Sequence, residues 1–103
     1  MTEKGADESP QWWLYILDCD GRLYTGISTD PERRYREHLA GGTRAAKFAR
    51  SGRRLEMKYR VALGSRALAQ KAEYRVKRIS RQEKQALLKQ APGPRALLAL
   101  LGL

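Results

Sequence analysis

A turn dipeptide set between two apolar stretches does most to limit what this chain can become. Trp12 to Leu17 is a near-continuous apolar run with two tryptophans, Tyr15 and Ile16, the pattern of a strand buried on both faces. Asp20-Gly21 follows, a dipeptide that readily takes the two positive φ angles of a two-residue hairpin loop. Arg22 to Ile27 then reads as the returning strand. After the hairpin, Thr29-Asp30-Pro31-Glu32 starts a helix. Either Asp30 caps it with Pro31 at the first helical position, or Thr29 and Glu32 form a capping box. The helix is expected to reach about Leu39 and stop at Gly41-Gly42. Tyr35 and Leu39 would be its thin apolar face, while Arg34 and His38, four apart, share another.

The remaining chain completes an α+β pattern. Thr43 to Arg50 offers a short helix ended by Gly52. Leu55 to Val61 alternates, with Leu55, Met57, Tyr59 and Val61 expected on one face and Glu56, Lys58 and Arg60 on the other. Ser65 can cap a helix from Arg66 to about Arg78, whose stripe is Leu68/Ala69, Ala72, Val76 and Ile79, with Glu73 beside it. Ser80 and Glu83 form a capping box for a helix to about Gln90. Pro92-Gly93-Pro94 breaks the chain before a leucine-rich terminal helix over Arg95 to Leu101. The expected fold is an α/β/α sandwich, a three-stranded antiparallel sheet flanked by helices. Residues 1–11 are expected to be a disordered tail, 12–90 the domain, and 91–103 a C-terminal helical extension.

Charge narrows the function. The chain of 103 residues carries 21 Lys and Arg against 11 Asp and Glu, a net charge of +10. The excess begins after residue 32, so an acidic front end is joined to a basic body. Such a balance suits a polyanion, since phosphate backbones are held by lysine and arginine. The single cysteine, Cys19, excludes an intrachain disulfide and a cysteine metal cluster, and is compatible with a reducing cytosol. No apolar run suggests a signal peptide or a membrane span, and the expected location is cytoplasmic.

Catalysis on such a partner needs an activated water, positive charge at the phosphate and usually a divalent metal. With one histidine, a histidine pair is impossible, so tyrosine, arginine and a carboxylate remain. Trp13-Leu14-Tyr15-Ile16 is followed by Tyr24-Thr25-Gly26, the second tyrosine nine residues after the first. Arg34 and His38 stand as R-x-x-x-H on the next helix, and Glu73 lies in ALAQKAEYRVKR. These four fragments, in this order, resemble the GIY-YIG nuclease family. YTGIS, DPERRYREH and AEYRVKRIS look most like its small single-domain bacterial branch (UPF0213-like). The resemblance covers about Trp12 to Leu88. Trp13 stands where the family motif has glycine.

The resemblance implies a metal-dependent endonuclease acting on DNA, structure-selective and repair-related, with RNA the other candidate substrate. Tyr24 would be the general base or would polarise the attacking water, and Tyr15 would position that water. Arg34, favoured over Arg33 by its four-residue spacing to His38, would bind the scissile phosphate. His38 would hydrogen-bond within the site. Glu73 would hold one Mg²⁺ or Mn²⁺, and Gly26 would let the backbone pack closely. A phenol, ordinarily near pKa 10, needs such positive charge close by to act as a base. Arg33, Arg36, Arg44, Lys47, Arg50, Arg53, Arg54 and Lys77 would follow the phosphate backbone.

Each residue also has a plainer reading. Tyr15 and Tyr24 suit strand packing, Arg34 a solvated helix face and His38 a structural hydrogen bond. Glu73 can pair with Lys77 four residues on, and the arginine-rich stretch can be a solvated face. The alternative function is accordingly a non-catalytic nucleic-acid-binding module with the same fold.

Overall fold

Asp20 and Gly21 take φ angles of 54° and 93°, joining strand β1 (Trp12–Cys19) to β2 (Arg22–Ser28) through the expected two-residue loop. The Asp18 carboxylate accepts from the Gly21 N–H at 2.6 Å and fixes the turn. This is a computed structural model, and it describes residues 10–40 and 54–103. The expected helix over Thr43 to Arg50 lies outside the described residues, as does nearly all of the expected N-terminal tail.

The other elements are α1 (Pro31–Ala40), β3 (Leu55–Gly64), α2 (Arg66–Arg78), α3 (Arg81–Gln90) and α4 (Pro94–Leu100). The three strands form one antiparallel sheet in the order β2-β1-β3. The central strand explains its own sequence, because Leu14, Tyr15, Ile16 and Leu17 are all buried, two on each face. Leu14 and Ile16 face a core built with Ala69, Ala72 and Val76 of α2, Leu87 of α3, and Leu97 and Leu101 at the C-terminal end. Tyr15, Leu17 and Cys19 face the opposite side, where Tyr24, Tyr35, Leu55 and Met57 join them. Helix α1 supplies Tyr35 there, so the fold is α+β with helices on both faces of the sheet.

Local capping chemistry sets the helix starts. The Asp30 carboxylate accepts from the Arg33 N–H at 3.1 Å, so the Asp30-Pro31 register holds rather than Thr29-Glu32. Ser80 and Glu83 form both bonds of the expected capping box, at 3.1 and 2.9 Å. Ser65 caps α2 through the Leu68 N–H.

Two expectations about faces need correction. Strand β3 does not present Leu55, Met57, Tyr59 and Val61 on one side. Ile16 pairs with Tyr59 but Leu17 with Met57, leaving Lys58 as a one-residue bulge. A one-residue slip exchanges the faces of a strand. Leu55 and Met57 therefore join the α1 side, while Tyr59 and Val61 join the core of α2, α3 and α4. In α1, the buried side chains are Pro31 and His38, the latter at 0% exposure, while Leu39 is 49% exposed. The turn bearing Arg34 and His38 faces the sheet because the sheet offers polar partners there. Tyr35 is half-buried and donates its hydroxyl to the Leu55 carbonyl at 2.9 Å.

Tyr59 ties the segment after α3 to the core by donating to the Pro92 carbonyl at 2.7 Å. Burial pushes its phenol up to about 12. In the unfolded chain the same group releases its proton near pH 10. The folded state thus retains a proton that the unfolded state has lost, and stability falls as pH rises from about 10 to about 12. A shift of about two units corresponds to roughly 3 kcal/mol. Tyr59→Phe should lower stability near neutral pH by about 1 kcal/mol through the lost bond, yet flatten the alkaline decline. Urea titrations across that range measure this; an unchanged slope would discard the assignment.

Candidate functional site

The α1-facing side of the hairpin gathers four of the residues that the sequence singles out. Tyr15 pairs across the sheet with Gly26, and Leu17 with Tyr24, so both tyrosines stand on the face that α1 covers. The Tyr15 hydroxyl lies 3.3 Å from His38 Nε2, with the direction of the bond following the histidine tautomer. The His38 ring meets Tyr24 edge-on, at 5.4 Å between centroids and 73° between planes. Its contact with the Tyr15 ring is similar, at 6.2 Å and 62°.

Gly26 makes this packing possible. A Cβ at that position would stand 2.5 Å from the Tyr15 hydroxyl oxygen and 2.6 Å from Cζ, so the phenol ring lies directly against the β2 backbone. Here glycine is required by close approach rather than by a positive φ.

Arg34 reaches the cluster from the first turns of α1. Its guanidinium donates to the Glu37 carboxylate at 3.1 Å and lies beside the Tyr15 hydroxyl. Arg33 instead points outward with its side chain 60% exposed, pairing with the other Glu37 oxygen at 3.8 Å. Glu37 was missed in the sequence, although its spacing of three from Arg34 and four from Arg33 is that of helical ion pairs. Two further contacts were missed on the same side. Arg60 bonds to Glu32 of α1 and lies over the Trp13 ring, 5.8 Å from its centroid.

Electrostatics separate the roles these groups can take. Burial pushes the Tyr15 phenol above its ordinary value, against the pull of its hydrogen bond from Arg34, and the neighbouring Tyr24 and Glu73 push the same way. Tyr15 therefore keeps its proton at neutral pH. Burial, reinforced by the Arg34 charge and partly opposed by Glu37, lowers the His38 pKa, so its ring is neutral at pH 7. Arg34 is held firmly charged, first by its bond to Glu37.

Glu73 enters from α2, close enough for its charge to bear on Tyr15. Its side chain is 23% exposed and pairs with Lys77 at 3.3 Å. Among the described residues no group of three or more His, Cys, Asp and Glu is arranged to hold a metal. A lone carboxylate is nonetheless a donor set that Mg²⁺ accepts, since that ion commonly takes one or two carboxylates and completes its shell with water and substrate phosphate.

The expected backbone-binding residues divide. Arg36 is exposed on α1, and Arg54 is exposed with a 3.5 Å pair to Glu56. Lys77 is engaged by Glu73 and Arg33 by Glu37. Arg44, Lys47, Arg50 and Arg53 lie outside the described residues.

Residues 11–86 match the GIY-YIG catalytic domain. The chain belongs to the GIY-YIG family. Similar GIY-YIG chains include the UPF0213 protein YhbQ of Escherichia coli, 41% identical over 91 residues, covering 87% of this chain and 89% of that protein. The UPF0213 protein of Citrobacter koseri and the UPF0213 protein YhbQ of Shigella boydii match with the same identity and coverage. No solved structure matches. Membership in the GIY-YIG family supports a nuclease-type function on nucleic acid, with divalent metal generally used. No helix among the described residues is long and apolar enough to cross a membrane.

Proposed function

We propose that this chain is a cytoplasmic, metal-dependent endonuclease that hydrolyses phosphodiester bonds in DNA, selects for DNA structure and serves repair. The observation that carries the reading is the convergence of Tyr15, Tyr24, Arg34 and His38 on one face of the hairpin, with the Glu73 charge reaching the same place.

Each group has work its chemistry suits. Arg34 binds the scissile phosphate and offsets the charge that develops on it, exchanging its Glu37 partner for a phosphate oxygen. Tyr24, half-buried and at the edge of the cluster, orients and polarises the attacking water through its hydroxyl, or as phenolate takes the water's proton. Tyr15 holds its own proton, is bonded to His38 in the resting site and can donate that proton's hydrogen bond to the water or phosphate once substrate is bound. His38, neutral and buried, keeps both tyrosine rings in place. Glu73 is the residue to hold Mg²⁺ or Mn²⁺, which when bound supplies positive charge to the leaving oxygen.

The first experiment is a cleavage panel of labelled single-stranded, duplex, nicked, flapped and branched DNA with Mg²⁺ or Mn²⁺. Wild type is expected to cut at least one of these substrates. Tyr24→Phe should cut it about 10²- to 10⁴-fold more slowly while binding equally well. A second reading has its own support in the Glu73–Lys77 pair, which occupies the site's carboxylate. On that reading the chain is a nucleic-acid-binding module of the same fold. Salt-sensitive binding with no cutting of any substrate would decide for it.

A further inference from the structure

We infer that Glu37 is a positioning residue that stands in for phosphate on Arg34 while the site is empty and passes to Arg33 when a phosphodiester arrives. One carboxylate serves both arginines. Glu37 Oε1 accepts from Arg34 Nη1 at 3.1 Å, and its Oε2 lies 3.8 Å from Arg33 Nε. Helical spacing allows this, since Arg34 stands three residues before Glu37 and Arg33 four. The inference rests on reading Arg34 as the phosphate ligand, but not on cleavage.

Contacts place Glu37 at the cluster. The guanidinium it occupies also reaches the Tyr15 hydroxyl, which lies 3.3 Å from His38 Nε2. A carboxylate and a phosphodiester offer a guanidinium the same thing, two oxygens that share a negative charge. They therefore compete for the N–H groups that Glu37 now takes. Replacing one anion by the other also spares the buried neighbours. The Arg34 charge disfavours a charged His38 ring and the Glu37 charge favours it. An incoming phosphate restores the anion that Glu37 withdraws, so Tyr15 and His38, both buried, keep nearly the same field.

The strength of the bond suits a placeholder. Both partners are close to half exposed, and ion pairs of that kind hold weakly. Arginine N-terminal to glutamate is also the less favourable order along a helix. A bidentate phosphate is the stronger partner. Arg33, the more exposed of the two arginines, gives the released carboxylate a cation to keep. Without it, a bare acid would stand beside the phosphate and repel it. Glu37 thus sets a threshold. Anions that hold guanidinium no better than a carboxylate leave Arg34 occupied, while phosphodiesters free it.

The test is binding of short labelled duplex DNA without divalent metal, so that no cutting intervenes. Glu37→Gln should tighten binding by about 2- to 5-fold, the worth of a partly exposed ion pair. Most of that gain should vanish in an Arg34→Ala background, the coupling expected of residues in contact. Arg33→Ala should weaken binding more in the wild-type background than beside Glu37→Gln, because only the carboxylate needs it. On a substrate that wild type cuts, Glu37→Gln should lower KM and leave kcat unchanged, which a merely structural role would not do. Its melting temperature should stay within about 4 °C of wild type. A gain of equal size with and without Arg34 would mean that only net charge had changed, and would overturn the inference. So would an equal loss from Arg33→Ala in both backgrounds. Binding weakened by Arg34→Ala with no gain from Glu37→Gln would remove the inference and leave the phosphate role of Arg34 standing. Equal binding by wild type and Arg34→Ala would remove both.

Discussion

Glu73→Ala should leave nucleic-acid binding intact and reduce cleavage by about 10³-fold or more. A divalent cation stabilises the charge of a phosphoryl transition state by several kcal/mol, and each 1.36 kcal/mol is about tenfold in rate. The fold has little to lose. Glu73 is 23% exposed and its pair with Lys77 is a helical i, i+4 contact, worth about 0.3–0.5 kcal/mol. Removing the carboxylate also frees Lys77 for phosphate, so affinity should hold or rise. Metal-dependent cleavage and thermal melting, measured on Glu73→Ala and Glu73→Gln, separate these effects. Cutting by either variant within a few fold of wild type would remove Glu73 from the reaction and leave it a surface ion-pair partner.

Gly26→Ala is the most damaging small substitution available on the hairpin. Its new methyl would enter the space filled by the Tyr15 hydroxyl and Cζ. The Tyr15 ring has no easy exit, being 1% exposed and bonded to His38. Overpacking of this kind costs about 1–3 kcal/mol, or roughly 4–20 °C in melting temperature for a domain of this size. Because Tyr15 is the group displaced, the cost should depend on it. In a Tyr15→Leu background Gly26→Ala should cost less than about half as much, the non-additivity expected of residues in contact. An equal cost in both backgrounds would mean that the β2 backbone, rather than the ring, resists the change. Cleavage should fall with Gly26→Ala even where the protein still folds, because Tyr15, His38 and Tyr24 share contacts.

The hairpin, the Ser80–Glu83 capping box and the helix bounds of α2 and α3 were readable because they rest on neighbours in sequence. Asp20-Gly21 states its own turn, and Ser80 with Glu83 states its own cap. What could not be read depends on pairing between distant segments. Nothing local to Lys58 marks it as a bulge; it becomes one because β1 sets the register on both sides of it. The buried face of α1 was hidden for a related reason. Periodicity favours Tyr35 and Leu39, but the sheet beneath offers a tyrosine hydroxyl, and that suits His38. The site residues were nominated by their spacing, while their resting partners were not: Glu37, which holds Arg34, reads in sequence as one more charge on an exposed helix.

The bulge at Lys58 also decides which side of the sheet the charged side chains of β3 reach. With strict alternation from Met57 onward, Arg60 would project among α2, α3 and α4. The extra residue turns it instead to the α1 side, opposite Tyr15 and against Trp13 and Glu32. Glu56, on the other side of the bulge, is paired with Asp18 and projects away from that side. One inserted residue thus sorts a cation and an anion of a single strand to opposite surfaces. Each meets its own partners there, Arg60 the Glu32 carboxylate of α1 and Glu56 the cations of Arg54 and Lys58, so the register of one strand decides which ion pairs can form.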